Sequence, residues 1–201
     1  MSTASDRRTL IVDSAIDVIA AQGLRTLTHR ALDTALALPA GSTSYYFRTK
    51  RALIEAIVDR IHQRSRDDFA ASRQGASHPL VAEAIAENIA RWLDSLLAER
   101  RTHLITRHAL IIDLLGDPEL HARLMKSLFS AEQARQLFTE LGGDDPDTAA
   151  ADFLAVLEGL VFDRFAGART HLAPGTPESI TQLANALLPH LTPRAATPAS
   201  R

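Results

Sequence analysis

One stretch of this 201-residue chain, Thr26 to Leu53, concentrates side chains suited to gripping a polyanion and reading base edges. It holds Thr28, His29 and Arg30 together, then Ser42, Thr43, Ser44, Tyr45, Tyr46, Arg48, Lys50 and Arg51. Hydroxyl, guanidinium and ammonium groups donate hydrogen bonds to phosphate oxygens. Arginine binds guanine in bidentate fashion, and a threonine methyl meets the methyl of thymine. Thr28, Tyr46 and Lys50 are therefore phosphate candidates, with Arg48 and Arg51 as weaker ones. His29, Arg30, Ser42, Thr43 and Tyr45 are groove-facing candidates, whereas Phe47 is expected to pack inside. Lys50 is the only lysine in the first hundred residues, which draws attention to its place beside the stretch of hydroxyls.

These groups need short, fixed elements to hold them. Thr28 suits the N-cap of a first short helix, whose apolar face is Leu32, Ala35 and Leu36. Ala37 and Leu38 carry a turn, and Pro39 suits the first position of a second short helix reaching Tyr46. Thr49 then caps a long helix to about Ala71, with Leu53, Ile54, Ile57, Val58 and Ile61 on one face. The positive end of that helix, with Lys50 beside it, makes a phosphate seat. Upstream, a helix over 6–22 carries the stripe Val12, Ala15, Ile16 and Ile19 and ends at Gly23. It braces the two short helices, with Leu24 and Leu27 closing the small core.

This stretch resembles the DNA-binding module of the TetR family of transcriptional repressors. The resemblance lies in Gly23, Leu27 to Leu32, the segment Leu38 to Phe47, and Lys50 to Leu53. Asp33 departs from the family pattern, which has a small apolar residue there, and Ala37 stands where glycine is common. Pro39-Ala40 replaces a more usual polar pair.

Composition agrees with a helical regulator. Ala and Leu dominate, alternating strand patterns are scarce, and an all-α fold is expected. Without cysteine there are no disulfides or thiolate metal sites. The polar N-terminus lacks a signal-peptide core and no apolar run spans a bilayer, so a soluble, cytoplasmic protein is expected. Residues 1–66 hold ten Lys and Arg against six Asp and Glu, and residues 67–201 hold twelve against eighteen. The front end is thus +4 and the remainder −6, as for a DNA-binding head on a body that does not bind DNA.

The sequence divides into a DNA-binding domain over 1–48, a connecting helix over 49–71, a helical bundle over 72–191 and a disordered tail over 192–201. Ser72 to His78 is a break, and Pro79 opens a helix to about Ala98 with Val81, Ile85, Ile89, Trp92, Leu93 and Leu96 inward. Helices follow over 104–115 and, as one element opened by Asp117-Pro118, over 118–141. Asp145-Pro146 opens a helix to Phe165 that is apolar around much of its circumference, and the last helix spans 177–191. A helix apolar nearly all round needs cover on more than one side. A two-fold dimer would supply that cover and would read a palindrome. Leu157, Leu160, Val161, Leu183 and Leu187 are the interface candidates, with burial inside one subunit as the competing reading.

The resemblance further implies a small-molecule cavity in the body. Its candidates are Trp92, His103, Arg107, His108, Ile111, Phe129, Phe153, Glu158 and Phe162. No cofactor is implied. An enzyme is the main rival, but His103 and His108 are five positions apart. That separation turns them about 140° from each other on a helix, away from a metal-binding pair. No HExxH, nucleophile elbow or phosphate-binding glycine loop occurs. A protein-interaction bundle would leave the basic head unexplained, and activation is the alternative to repression. The expected protein is a homodimeric, ligand-responsive repressor that binds a double-stranded operator.

Overall fold

Capping residues set many of the helix boundaries. The computed structural model describes residues 4–72 and 81–191, which form ten α-helices and no strand. They are α1 (Ala4–Gln22), α2 (His29–Ala35), α3 (Ser42–Tyr46), α4 (Lys50–Ser72) and α5 (Ala82–Glu99). The remainder are α6 (Arg101–Asp113), α7 (Pro118–Met125), α8 (Ala131–Glu140), α9 (Pro146–Ala166) and α10 (Pro177–Leu191). Asp117 and Asp145 cap α7 and α9, and each is followed by proline at the first helical position. Among the described residues no helix is long and apolar enough to cross a membrane.

The helices sort into two compact units that do not follow the linear division. The first contains α1 to α4 with α6 and α7. Its core joins Ile11, Ile16 and Ile19 of α1 with Leu32, Phe47, Ile57, Leu110 and Leu124. Thr106 of α6 donates to the backbone carbonyl of Ile16 at 2.8 Å. Arg60 of α4 grips Asp13 of α1 in bidentate fashion at 2.8 and 2.9 Å. The second unit contains α5 with α8 to α10. Here α5 packs along α10, and α8 along α9. Asp94 of α5 accepts from the Gly175 amide and the Ser179 hydroxyl at the start of α10. Arg164 of α9 donates to the same hydroxyl and to Gln182.

Two local expectations are corrected. The helix expected over 118–141 is broken: Leu128 takes a φ of +78°, and Ser130 starts α8 by accepting from the Gln133 amide at 3.3 Å. Ser130 to Gln133 carries the spacing of a capping box, a signal present in the sequence. On α5 the buried residues are Ala86, Ala90, Leu93, Asp94, Leu96 and Leu97, so Leu93 and Leu96 point inward as expected. Val81 is instead 49% exposed, and Ile85, Ile89 and Trp92 are half-buried. Small alanines bring α5 close to α10, and the hydrogen bonds of Asp94 hold that face inward. The expected break over 72–78, the helix start at Pro79 and the tail over 192–201 lie, Ser72 apart, outside the described residues.

Replacing Ser130 by alanine removes the side-chain cap of α8 and is expected to cost about 1 kcal/mol. Urea denaturation followed by circular dichroism would show this as a lower midpoint.

Candidate nucleic-acid interface

The helix-turn-helix is built around a buried carboxylate. Thr28 caps α2 by accepting from the Ala31 amide at 3.1 Å. Asp33, on the inner side of α2, is 5% exposed. Its Oδ2 accepts from the Gly41 amide at 2.8 Å, and its Oδ1 accepts from the Thr43 amide at 2.8 Å and the Thr43 hydroxyl at 2.7 Å. Burial alone pushes this carboxyl up. The hydrogen bonds from Thr43 and Gly41, with the nearby His29, outweigh that and hold it below the usual carboxylate value. Asp33 therefore fastens the start of α3 from a different helix. In the turn between them Ala37 takes a φ of +50°, which explains why a glycine would suit that position. Gly41 takes a φ of +90° as the N-cap of α3.

The far end of α3 is fastened to α1. Arg8 donates to the Tyr46 carbonyl at 2.6 Å, and its guanidinium carbon lies 4.3 Å from the centre of the Phe47 ring. Phe47 is buried, as expected from the sequence. Held at both ends, α3 presents Ser44 and Tyr45 outward, and Tyr45 is 80% exposed. The Tyr45 and Tyr46 rings meet edge to face at 5.2 Å. Tyr46 itself is half-buried against the core. Arg48 and Lys50 are exposed at the start of α4, where Thr49 accepts from the Ala52 amide at 3.0 Å. Arg30 is exposed and Ser42 half-buried, its hydroxyl donating to the Pro39 carbonyl. His29 is half-buried, with Nε2 lacking a hydrogen-bond partner.

Several expected positions change. Thr43 is fully buried with its hydroxyl on Asp33, so it does not face a groove. Pro39 lies ahead of α3, because Gly41 and Asp33 start the helix at Ser42. Arg51 is paired with Glu55 and with Asp117, the N-cap of α7, which engages its charge within the first unit. The sequence marks Asp33 only as a departure from the family pattern, and gives no role to Arg8 and no specific contact to Ser44. A lone aspartate at an apolar position was the available signal for the first.

The body candidates divide between the two units. His103, Arg107, His108 and Ile111 lie on α6 in the first. Arg107 is fully buried and donates to the Ser127 hydroxyl at 3.0 Å. The Nδ1 of His108 is 2.8 Å from the Leu104 carbonyl, and Ile111 packs on the core of the first unit. Burial, and then Arg64, press the pKa of His103 below its ordinary value. Trp92, Phe129, Phe153, Glu158 and Phe162 lie in the second unit. Trp92 and Phe129 meet edge to face at 5.8 Å, Phe153 is buried against Phe138, Glu158 is half-buried, and Phe162 is 47% exposed. Of the expected interface residues, Leu157, Val161, Leu183 and Leu187 are buried within the second unit. They form its core and are not available to a partner, and only Leu160 stays half-buried.

The family described as Tetracyclin repressor-like, C-terminal domain, matches residues 76–192. Among solved structures, a TetR family member from Streptomyces coelicolor A3 is 25% identical over 90% of this chain and 98% of its own, with a TM-score of 0.65. The multidrug binding protein EbrR complexed with ethidium is 25% identical over 93% of this chain and 99% of its own, with a TM-score of 0.62. A transcriptional regulator from Rhodococcus sp. Rha1 shares the fold at 18% identity, covering 92% of this chain and 93% of its own, with a TM-score of 0.73. No curated protein matches the sequence.

Asp33→Ala is expected to destabilise the protein by about 2 kcal/mol at neutral pH, through loss of a cap and an unpaired Thr43 hydroxyl. The folded carboxyl sits below its unfolded value, so its contribution is complete above the ordinary carboxylate range. It fades as pH falls through the lowered value. Paired urea titrations should therefore show wild type and variant converging in acid.

Proposed function

The chain belongs to the TetR family of transcriptional regulators, and we propose that it is a repressor acting as a homodimer on a palindromic operator, released by a small molecule. The observation that carries the DNA reading is α3, fastened by Asp33 and Arg8 and presenting Ser44 and Tyr45 outward. Thr28, Tyr46, Arg48 and Lys50 are the phosphate contacts in this reading, and His29, Arg30, Ser42, Ser44 and Tyr45 face the groove. The family is one of regulators and not of enzymes. Solved structures of EbrR hold imidazole and ethidium, which supports control by a small molecule here. Such control requires a ligand that binds the DNA-incompetent arrangement more tightly. Trp92 and Phe129 offer it an aromatic surface.

The dimer reading moves from the buried leucines to the outer face of α9. Ala155, Gly159, Phe162 and Ala166 are all exposed there at helical spacing. Small residues let a second helix approach closely, and Phe162 supplies apolar area. Two copies joined this way would give the protein two α3 helices, one for each half of a palindrome.

Selection of binding sites from random duplex DNA, at stated salt, tests the DNA reading; it should return a palindrome. Enrichment of no motif by the folded protein at low salt, in both the presence and absence of added ligands, would refute it. Tyr46→Ala and Lys50→Ala should each weaken binding roughly tenfold at all sites, with Lys50→Ala lowering the salt slope by about one. Tyr45→Ala should alter the preferred sequence. In sedimentation, Phe162→Glu should yield monomers; an intact dimer would place the interface elsewhere.

A further inference from the structure

Lys50 and Arg51 are consecutive in the first turn of α4, yet the fold treats them differently. Lys50 is exposed and has no ion pair among the described residues. Arg51, with its side chain 54% exposed, meets two carboxylates. Its Nε lies 3.0 Å from Oε1 of Glu55, one turn further along α4, and its Nη1 donates to Oδ2 of Asp117. Glu119 acts on the same guanidinium through space. One of the two cations that open α4 is thus surrounded by acidic groups of its own chain.

Asp117 holds Arg51 without giving up its structural task. Its Oδ1 accepts from the Leu120 amide at 3.3 Å as the N-cap of α7, which leaves Oδ2 for the guanidinium. A second pair, Asp59 of α4 with Arg123 of α7, joins the same two helices in the opposite polarity. Exposed pairs of this kind add little to stability. Their positions set them apart. Asp59 lies about 12 Å further along the helix axis, at 1.5 Å per residue. Asp117 stands beside Lys50 and Arg51, where the DNA reading places a backbone phosphate. A carboxylate on a guanidinium offers the same charge-assisted hydrogen bonds as a phosphate does, so the two anions compete for one partner.

We propose that Asp117 withholds Arg51 from DNA: Arg51 is a phosphate-binding residue held in reserve, and Asp117 sets the affinity of the head. A backbone phosphate must displace the carboxylate to reach Arg51, and Asp117 also repels that phosphate. Neutralising Asp117 removes both obstacles. Because the contact is to phosphate, the gain is the same at every sequence and the preferred motif does not change. The proposal rests on the DNA reading given above.

Fluorescence anisotropy of the full-length protein on one labelled duplex, recovered by site selection, tests it across about 50 to 200 mM salt. Asp117→Asn preserves the cap, since asparagine caps helices as well as aspartate. It is expected to tighten binding roughly tenfold and to steepen the salt slope by about one per bound chain. Asp59→Asn makes the same change of charge at the other pair and should leave the slope unchanged. Arg51→Gln added to Asp117→Asn should bring the slope back to the wild-type value. Unchanged or weaker binding by Asp117→Asn, an equal gain in Asp59→Asn, a gain that survives Arg51→Gln, or an altered motif would overturn the proposal. If Asp117→Asn loses its circular dichroism, Glu55→Gln takes its place, with the same gain expected and the same results overturning it. A folded wild-type protein with no affinity for duplex DNA would instead refute the DNA reading itself.

Discussion

The carboxylate of Asp33 is the constraint on which the DNA-facing part of this protein depends. A five-residue helix has too few internal hydrogen bonds to persist alone. Its N-terminal amides would otherwise turn to water and the helix would fray. Asp33 collects the amides of Gly41 and Thr43, together with the Thr43 hydroxyl, from the neighbouring helix. A buried charge is costly unless its lone pairs are filled, and here three donors converge on it. Arg8 then takes the carbonyl at the other end of α3. The orientation of the short helix is thereby set by two side chains outside it.

The body uses a related device with a different outcome. Asp94, Ser179 and Arg164 join α5, α9 and α10 through a chain of hydrogen bonds in the middle of an apolar core. Such a network adds little net stability, but it admits one register among helices that alanine and leucine would let slide. The stripe Ala86, Ala90, Leu93 and Leu97 is shallow, and Asp94 beside it fixes which face of α5 turns inward.

Much of this was legible in the residues. Caps at Thr28, Thr49, Asp117 and Asp145, and the prolines after the last two, placed the starts of four helices. The all-helical class followed from pattern and composition. What escaped the sequence were effects of packing. Thr43 looks like a groove residue because its hydroxyl suits DNA, but only the fold brings that hydroxyl to Asp33. Leu157, Val161, Leu183 and Leu187 carry the apolarity of an interface, and nothing in periodicity separates an interface from a core. The placement of α6 and α7 with the N-terminal helices is likewise a property of long-range contact and not of chain order.

The exposure of Ser44 and Tyr45 on an otherwise anchored α3 has a consequence for how such a surface changes over time. Anchorage to other helices and display fall on different residues: Asp33, Thr43, Phe47 and Arg8 tie the helix to its neighbours, while exposed Ser44 and Tyr45 make only local contacts, with the Gly41 carbonyl and the Tyr46 ring. Substitutions at the two displayed positions leave every anchoring bond in place. In the proposed DNA reading the head is thus a fixed socket on which Ser44 and Tyr45 can change, and new recognition can arise by single steps that do not pass through an unfolded intermediate genotype.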